Sequence, residues 1–230
     1  MAGTDRFQIA RHNTIMEIIH GHLNMELIEQ DQYYFGGGTL CSMMFGEYRE
    51  SVDIDFLSCD RFGSADLKLN CQRITTLPMW RDRPPKADKD GVRMWCEYKG
   101  ECFKIEFVFE SRIAFTPPER FHDVLSLSSE SLLACKLLAN ADRGYSTLSA
   151  RKDIVDILAI YNKRPDVLKS AWSTAYDAYS TWLRSCTKKA LSPEEFDETL
   201  RTVGVRKDLC GEFRALLDSF TQAMEPLLNV

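Results

Sequence analysis

At 230 residues, 44% apolar and 27% charged, the chain can bury one good core or two modest ones, and it has no low-complexity tract. A formal net charge of −5 excludes a surface that coats nucleic acid broadly, but not a local contact to a nucleotide or an RNA end. Eight cysteines without a C-x-x-C pair, and four histidines off zinc spacing, predict reduced and mostly buried thiols. With no apolar leader at the start and no run of membrane-spanning length, the sequence reads as cytoplasmic with no membrane partner.

The first predicted helix runs from Asp5 to His22, with Ile15, Ile18, Ile19 and His22 on one stripe. His20 and His22 stand two apart and project from different faces, so they make a poor metal pair. A short strand, Gln32–Phe35, leads into GGGTLCSMMFGEYRESVDIDF at 36–56. Its glycines permit close backbone approach and present N–H groups suited to an anion. From Val52 to Leu57 the residues alternate, with Val52, Ile54 and Phe56 toward a core and Asp53 and Asp55 toward the other face. Alternate residues lie roughly 6.7 Å apart along a strand. Two carboxylates so placed repel unless a cation or a proton sits between them, and phosphate with a divalent metal would satisfy both ends of this stretch.

The segment PMWRDRPPKADKDG at 78–91, with its prolines and mixed charges, predicts a mobile excursion rather than a core element. Val92–Tyr98 and Cys102–Phe109 read as a hairpin around Lys99-Gly100. In its second strand Ile105, Phe107 and Phe109 face the core, and Lys104, Glu106, Val108 and Glu110 take the other face. A third carboxylate would help Asp53 and Asp55 hold a metal and deprotonate an attacking group. Glu106 is the candidate, with Glu110 second because it lies near the strand's end. TPPER after Phe115 reads as a junction, beyond which everything looks helical. Leu132, Leu133, Leu137 and Leu138 ride one helix, and Ile154, Ile157, Leu158 and Tyr161 a second. Trp172, Ala175, Tyr179, Trp182 and Cys186 stripe a third as bundle core, and Ser192-Pro193-Glu194-Glu195 reads as a capped helix start.

The Gly37-Gly38-Thr39 turn, a gap of thirteen residues, then Asp53-Ile54-Asp55-Phe56 resembles the polymerase-β-like nucleotidyltransferases. The Arg49-x-Ser51-x-Asp53 approach and the later acidic strand strengthen the likeness. SLLACKLLANADRGYSTLSARKDIVDIL at 131–158 resembles the lysine helix and Arg/Lys-Asp-x-x-Asp helix of the AbiEii/AbiGii branch. That branch includes nucleotidyltransferase toxins of bacterial toxin–antitoxin and phage-defence systems. The lysine is Lys136 and the later acids are Asp153 and Asp156, with Arg143 and Arg151 between; the resemblance spans about residues 31–160.

The resemblance implies an α+β fold: a polymerase-β-like nucleotidyltransferase domain with a mixed sheet over 1–116, followed by a C-terminal helical bundle over 117–230. It implies that Gly37, Gly38 and Thr39 hold the terminal phosphates of an NTP with Ser51 beside them, and that Asp53, Asp55 and Glu106 ligate Mg2+. Lys136 would meet a phosphate and Asp153 would orient it. The residues alone leave Lys136 and Asp153 open to a plain interhelical ion pair, and Asp156 open to packing. They leave Arg49 open either to phosphate or to balancing Glu47 and Glu50. The implied activity is magnesium-dependent transfer of a nucleoside monophosphate to an acceptor, here the 3′ end of tRNA or another RNA, with a cognate antitoxin as a further partner. The alternatives are a small-molecule nucleotidyltransferase of the aminoglycoside-modifying type, and a catalytically silent nucleotide-binding module.

Overall fold

The computed structural model describes residues 7–143 and 152–229. Two compact units divide the chain, one of residues up to Glu47 with Ser51–Ser128, the other of Tyr48–Glu50 with the residues from Ser129 onward.

In the first unit, helix α1 spans Ala10–His22 rather than starting at Asp5. The N–H groups of Gln8 and Ile9 donate to the Glu47 carboxylate at 2.7 and 3.0 Å, so the chain is anchored before the helix begins. Ile15, Ile18 and Ile19 are fully buried, as their spacing predicts, whereas His22 is half-buried beside Tyr98. Helix α2, Met25–Gln30, is capped by the Asn24 side chain, which accepts from the Leu27 N–H. Gln32 has φ 56, which turns the chain, and strand β1 is therefore Tyr34–Gly36 instead of Gln32–Phe35. Helix α3, Gly37–Met44, follows with no intervening loop. Strand β2 is Ile54–Ser58; Val52 precedes it and is 46% exposed, so it is not a core residue. Helix α4, Arg61–Leu69, starts at an Asp60 cap.

The remaining strands of this unit are β3 (Lys86–Asp88), β4 (Gly91–Tyr98), β5 (Glu101–Phe109), β6 (Glu119–Phe121) and β7 (Val124–Ser126). Among the described residues they form one seven-stranded sheet in the order β3-β4-β5-β2-β1-β7-β6. The sheet is mixed, with β2 parallel to β5 and β1 parallel to β7, and the other neighbours antiparallel. The hairpin turns where expected, with φ 52 at Lys99 and φ 80 at Gly100, the left-handed pair that a two-residue connection requires. Two expectations are corrected. The 78–91 segment is not only an excursion, because Lys86–Asp88 pairs with β4 as an edge strand. The chain beyond TPPER is not all helical either, since β6 and β7 extend the sheet past β1, with Phe35 opposite Ser126. Strands of three residues are too short to establish a period, which is why the sequence does not reveal them.

One face of the sheet is core. Phe56 stacks on Phe107 with ring centroids 5.3 Å apart, and Phe35 lies 5.7 Å from Phe56. With Ile54, Ile105, Val92, Met94 and Cys96 they are fully buried. Residues one step along each strand point the opposite way, so the register of this core dictates where Asp55 and Glu106 stand.

The second unit holds helices α5 (Ser129–Arg143), α6 (Lys152–Lys163), α7 (Leu168–Ala190), α8 (Phe196–Val203) and α9 (Cys210–Leu228). The leucine stripe of α5 and the Ile154, Ile157 and Leu158 stripe of α6 are buried, and Tyr161 packs edge-on to Phe220 of α9 at 5.1 Å. Tyr48–Glu50 joins this unit: Tyr48 accepts from the Arg206 N–H at 2.8 Å, and its ring lies 5.5 Å from that of Phe213. Helix α7 is broken at Ser180, where φ is 48, so the predicted stripe does not run through unchanged. Trp172, Ala175 and Cys186 are buried but Trp182 is 46% exposed, with its indole N–H donating to the Ala141 carbonyl. Ser192 makes no side-chain cap; Pro193–Glu195 forms a 3-10 turn and α8 starts after it. All eight cysteines are free thiols, three of them buried and five half-buried. Burial, with a smaller contribution from Cys102, pushes the Cys96 thiol up to about 11, which keeps it protonated and inert.

Candidate active site

The strand-to-helix turn at Gly36-Gly37 lies directly against β2. Gly36 pairs with Asp55 in the antiparallel register of β1 and β2, and Gly37 follows with φ 69. A Cβ on Gly37 would fall 2.0 Å from Asp55 Oδ2 and 2.6 Å from Asp55 Cβ. Only glycine tolerates both this conformation and this approach. The turn therefore braces the Asp55 carboxylate with backbone, and it puts the N–H groups of the first turn of α3, where Gly37 and Gly38 are half-exposed, beside that carboxylate. Thr39 is buried, and its hydroxyl donates to the Asp53 carbonyl at 2.5 Å. That bond ties the residue before β2 to α3, so the hydroxyl fixes the position of Asp53. Asp53 and Ser51 are half-buried and lie just ahead of the strand.

Parallel pairing of β2 with β5 sets Asp55 opposite Glu106, so the two acids share the face turned away from the phenylalanine core. Glu106 is held by two cations. Arg93 Nε donates to Oε1 at 3.0 Å and Lys104 Nζ to Oε2 at 2.5 Å. Arg93, opposite Glu106 in the β4–β5 register, also reaches Asp88 at 2.5 Å. Among the described residues no three His, Cys, Asp or Glu side chains are grouped as metal ligands. Glu110 lies past the end of β5 and is gripped by Arg112, at 2.8 Å from its Nε and 2.5 Å from its Nη2, so it serves as a local clamp beyond the strand. The pairing of Arg93 is implicit in the hairpin: once Lys99-Gly100 is the turn, the register runs from Tyr98 opposite Glu101 to Arg93 opposite Glu106.

In the second unit the acids of α6 anchor a buried charge network. Asp156 is fully buried and accepts from Tyr48 Oη at 2.6 Å, from Arg49 Nε at 2.9 Å and Nη2 at 3.0 Å, and from Lys136 at 2.6 Å. Burial alone would raise its pKa, but Lys136 and Arg49 outweigh it and hold the carboxyl below its ordinary value. Lys136 also meets Asp153 at 3.4 Å, and Arg143 pairs with Asp153. The lysine and both acids are thus together, with Asp156 rather than Asp153 as the nearer partner of Lys136. Arg49, which the sequence leaves between phosphate and the neighbouring glutamates, binds Asp156 bidentately. Arg151 lies outside the described residues.

Residues 24–226 match the family described as the nucleotidyl transferase AbiEii toxin of a type IV toxin–antitoxin system. The chain belongs to this family. As an AbiEii protein it is a nucleotidyltransferase of α+β fold, from a family that generally uses a divalent metal and whose type IV system implies a nucleotide substrate and an antitoxin partner. No curated protein matches it. Two crystal structures from Helicobacter pylori resemble it: a candidate nucleotidyltransferase, 15% identical with TM-score 0.43 over 96% of this chain and 98% of that one, and JHP933, 16% identical with TM-score 0.44 over 97% and 99%. No helix among the described residues of the AbiEii chain is long and apolar enough to cross a membrane.

Proposed function

We propose that this AbiEii protein uses Mg2+ to transfer a nucleoside monophosphate from an NTP to the 3′ end of an RNA, tRNA being the first candidate, as a toxin of the cytoplasm. The observation that carries the reading is the single row formed by Gly36, Asp55 and Glu106 across β1, β2 and β5, with Gly37 pressed against Asp55. Two carboxylates abreast, a third one step before the strand and a glycine-opened helix start give acid for a metal and N–H groups for phosphate on one face.

The donor set is all oxygen, which fits a hard divalent cation, and Asp53, Asp55 and Glu106 would hold it. A bound divalent ion supplies charge neutralisation of the triphosphate and makes the acceptor oxygen a better nucleophile. The chain's own groups do the rest. The N–H groups of Gly37 and Gly38, with Ser51 nearby in sequence, would hold the terminal phosphates. Thr39 would keep Asp53 in place through its carbonyl. The acceptor hydroxyl attacks the α-phosphorus and its proton passes toward the Glu106 carboxylate. The new P–O bond forms as the bond to the β-phosphate bridging oxygen breaks, and pyrophosphate leaves with that electron pair. Lys136 and Asp153 are engaged with each other and with Asp156 and Arg143 in the buried network of the second unit, and this reading assigns them no contact with phosphate. In the first unit, the exposed Arg81, Arg83, Lys86 and Lys89 of the 78–91 segment support a local rather than general contact to RNA.

The test is incubation of the protein with labelled NTPs, Mg2+ and total RNA. Label at an RNA 3′ end is the expected product. Label on an aminoglycoside with every RNA species untouched would replace this acceptor with a small molecule. No label on any acceptor would leave a silent nucleotide-binding module.

A further inference from the structure

The acid face carries a feature that the transfer chemistry does not itself require. Register across four strands sets Arg93, Glu106, Asp55 and Gly36 abreast, so a guanidinium stands in the same row as the two acids. Both oxygens of Glu106 are taken, one by Arg93 at 3.0 Å and the other by Lys104 at 2.5 Å. The side chains of the cations are 33% and 31% exposed, while that of Glu106 is 16% exposed, so the bases reach solvent above an acid that lies deeper. The two cations that donate to these oxygens compete directly with any metal for the same lone pairs.

We propose that Arg93 and Lys104 form a latch on Glu106 that opens when nucleotide and metal arrive together. The exchange balances in charge. Glu106 trades two side-chain cations for a divalent ion, and the freed guanidinium and ammonium take up the incoming triphosphate. No covalent bond forms or breaks. Without nucleotide the latch keeps the acid face in a state of low metal affinity, and with nucleotide the same two side chains add to phosphate binding. The latch rests on the reading of this face as the transfer site. It makes Arg93 and Lys104 positioning residues in the resting protein and phosphate-binding ones in the complex.

The experiment measures Mn2+ binding by the electron paramagnetic resonance of the free ion, in the absence of nucleotide, for the full-length protein and for Arg93→Gln and Lys104→Gln. Each side chain makes a partly exposed charge-assisted bond, so its loss should tighten Mn2+ by about threefold to tenfold. Lys104→Arg should restore the wild-type value. Lys99→Gln, which removes the same charge from the far end of the hairpin, should leave it unchanged. With Mn2+ present, a non-hydrolysable NTP analogue should bind both Gln variants about tenfold more weakly. Opposite signs for metal and nucleotide are what a merely structural pairing would not give. Unchanged or weaker Mn2+ binding in both Gln variants, or an unchanged affinity for the analogue, overturns the latch while leaving the transfer reading intact. Mn2+ binding that survives Asp55→Asn overturns the assignment of the acid face, and the latch with it.

Discussion

Replacing Gly37 with alanine separates what the backbone needs at the turn from what Asp55 needs. The residue sits at φ 69, and an added Cβ meets Asp55 Oδ2 at 2.0 Å and Asp55 Cβ and Cγ at 2.6 Å. The left-handed conformation costs a non-glycine residue about 1–2 kcal/mol. The Asp55 side chain must also leave its rotamer, a further cost of about 1 kcal/mol. The sum, about 2–3 kcal/mol, corresponds to a fall in melting temperature of on the order of 5–10 °C for a chain of this size. Activity should suffer far more. An acid displaced by about an ångström from its working geometry costs on the order of a hundredfold in turnover. Gly46→Ala is the matched control, because Gly46 has φ 101 with nothing within 4 Å of the added Cβ. It should lower the melting temperature through the backbone cost alone and keep wild-type turnover. Differential scanning fluorimetry and a labelled-NTP transfer assay on the two variants decide the matter. Wild-type turnover in Gly37→Ala, or equal losses of turnover in both variants, would refute the argument that this turn braces Asp55.

Asp156→Ala should destabilise the protein by about 3–5 kcal/mol in denaturant titration, since it leaves Arg49 and Lys136 as buried cations without their shared acid. The same carboxylate predicts acid sensitivity. Its folded pKa lies below the ordinary value of 3.8, so it binds fewer protons folded than unfolded; its contribution is complete above 3.8 and is lost as pH falls below that value through the depressed folded pKa. Circular dichroism across that range should therefore report helix loss, and stability unchanged down to strongly acidic pH would contradict it. Glu106→Gln should retain NTP binding yet lose turnover, and normal turnover would remove Glu106 from the proton-accepting role. Mg2+ with an NTP should raise the melting temperature by more than the sum of the two separate shifts, whereas strict additivity would argue against a shared site.

What the sequence made legible follows from period and turn chemistry. The alternation around Asp53 and Asp55 and the Lys99-Gly100 turn set which residues of β2 and β5 face the core, and the structure keeps that facing for Ile54, Phe56, Ile105 and Phe107. The glycine turn was visible, but not that it opens a helix at once, because helix propensity is poor in a run of glycines and α3 is stabilised by burial of Thr39, Leu40, Cys41 and Ser42 instead. Val52 was misplaced for want of a tertiary cue, since alternation continues through it although pairing with β5 begins only at Ile54. The short strands β3, β6 and β7 left no periodic trace at all. The bidentate grip of Arg49 on Asp156 joins residues more than a hundred positions apart. No local pattern encodes such a pairing, and the sequence could offer Arg49 only its nearest acids. For the same reason the sequence names Glu106 as a third carboxylate without placing it directly opposite Asp55, a pairing that the parallel register of β2 and β5 sets.

The central claim is that the row through Asp55 and Glu106 performs the transfer, and the most direct measurement is single-turnover label transfer from an NTP to RNA by the wild type beside Asp53→Asn and Asp55→Asn. Each substitution removes a charge from a repelling face and should leave the metal-free fold at or above wild-type stability. Folded variants with no labelled RNA, against a wild type that labels a 3′ end, is the predicted result; transfer by either variant at near the wild-type rate would contradict the claim.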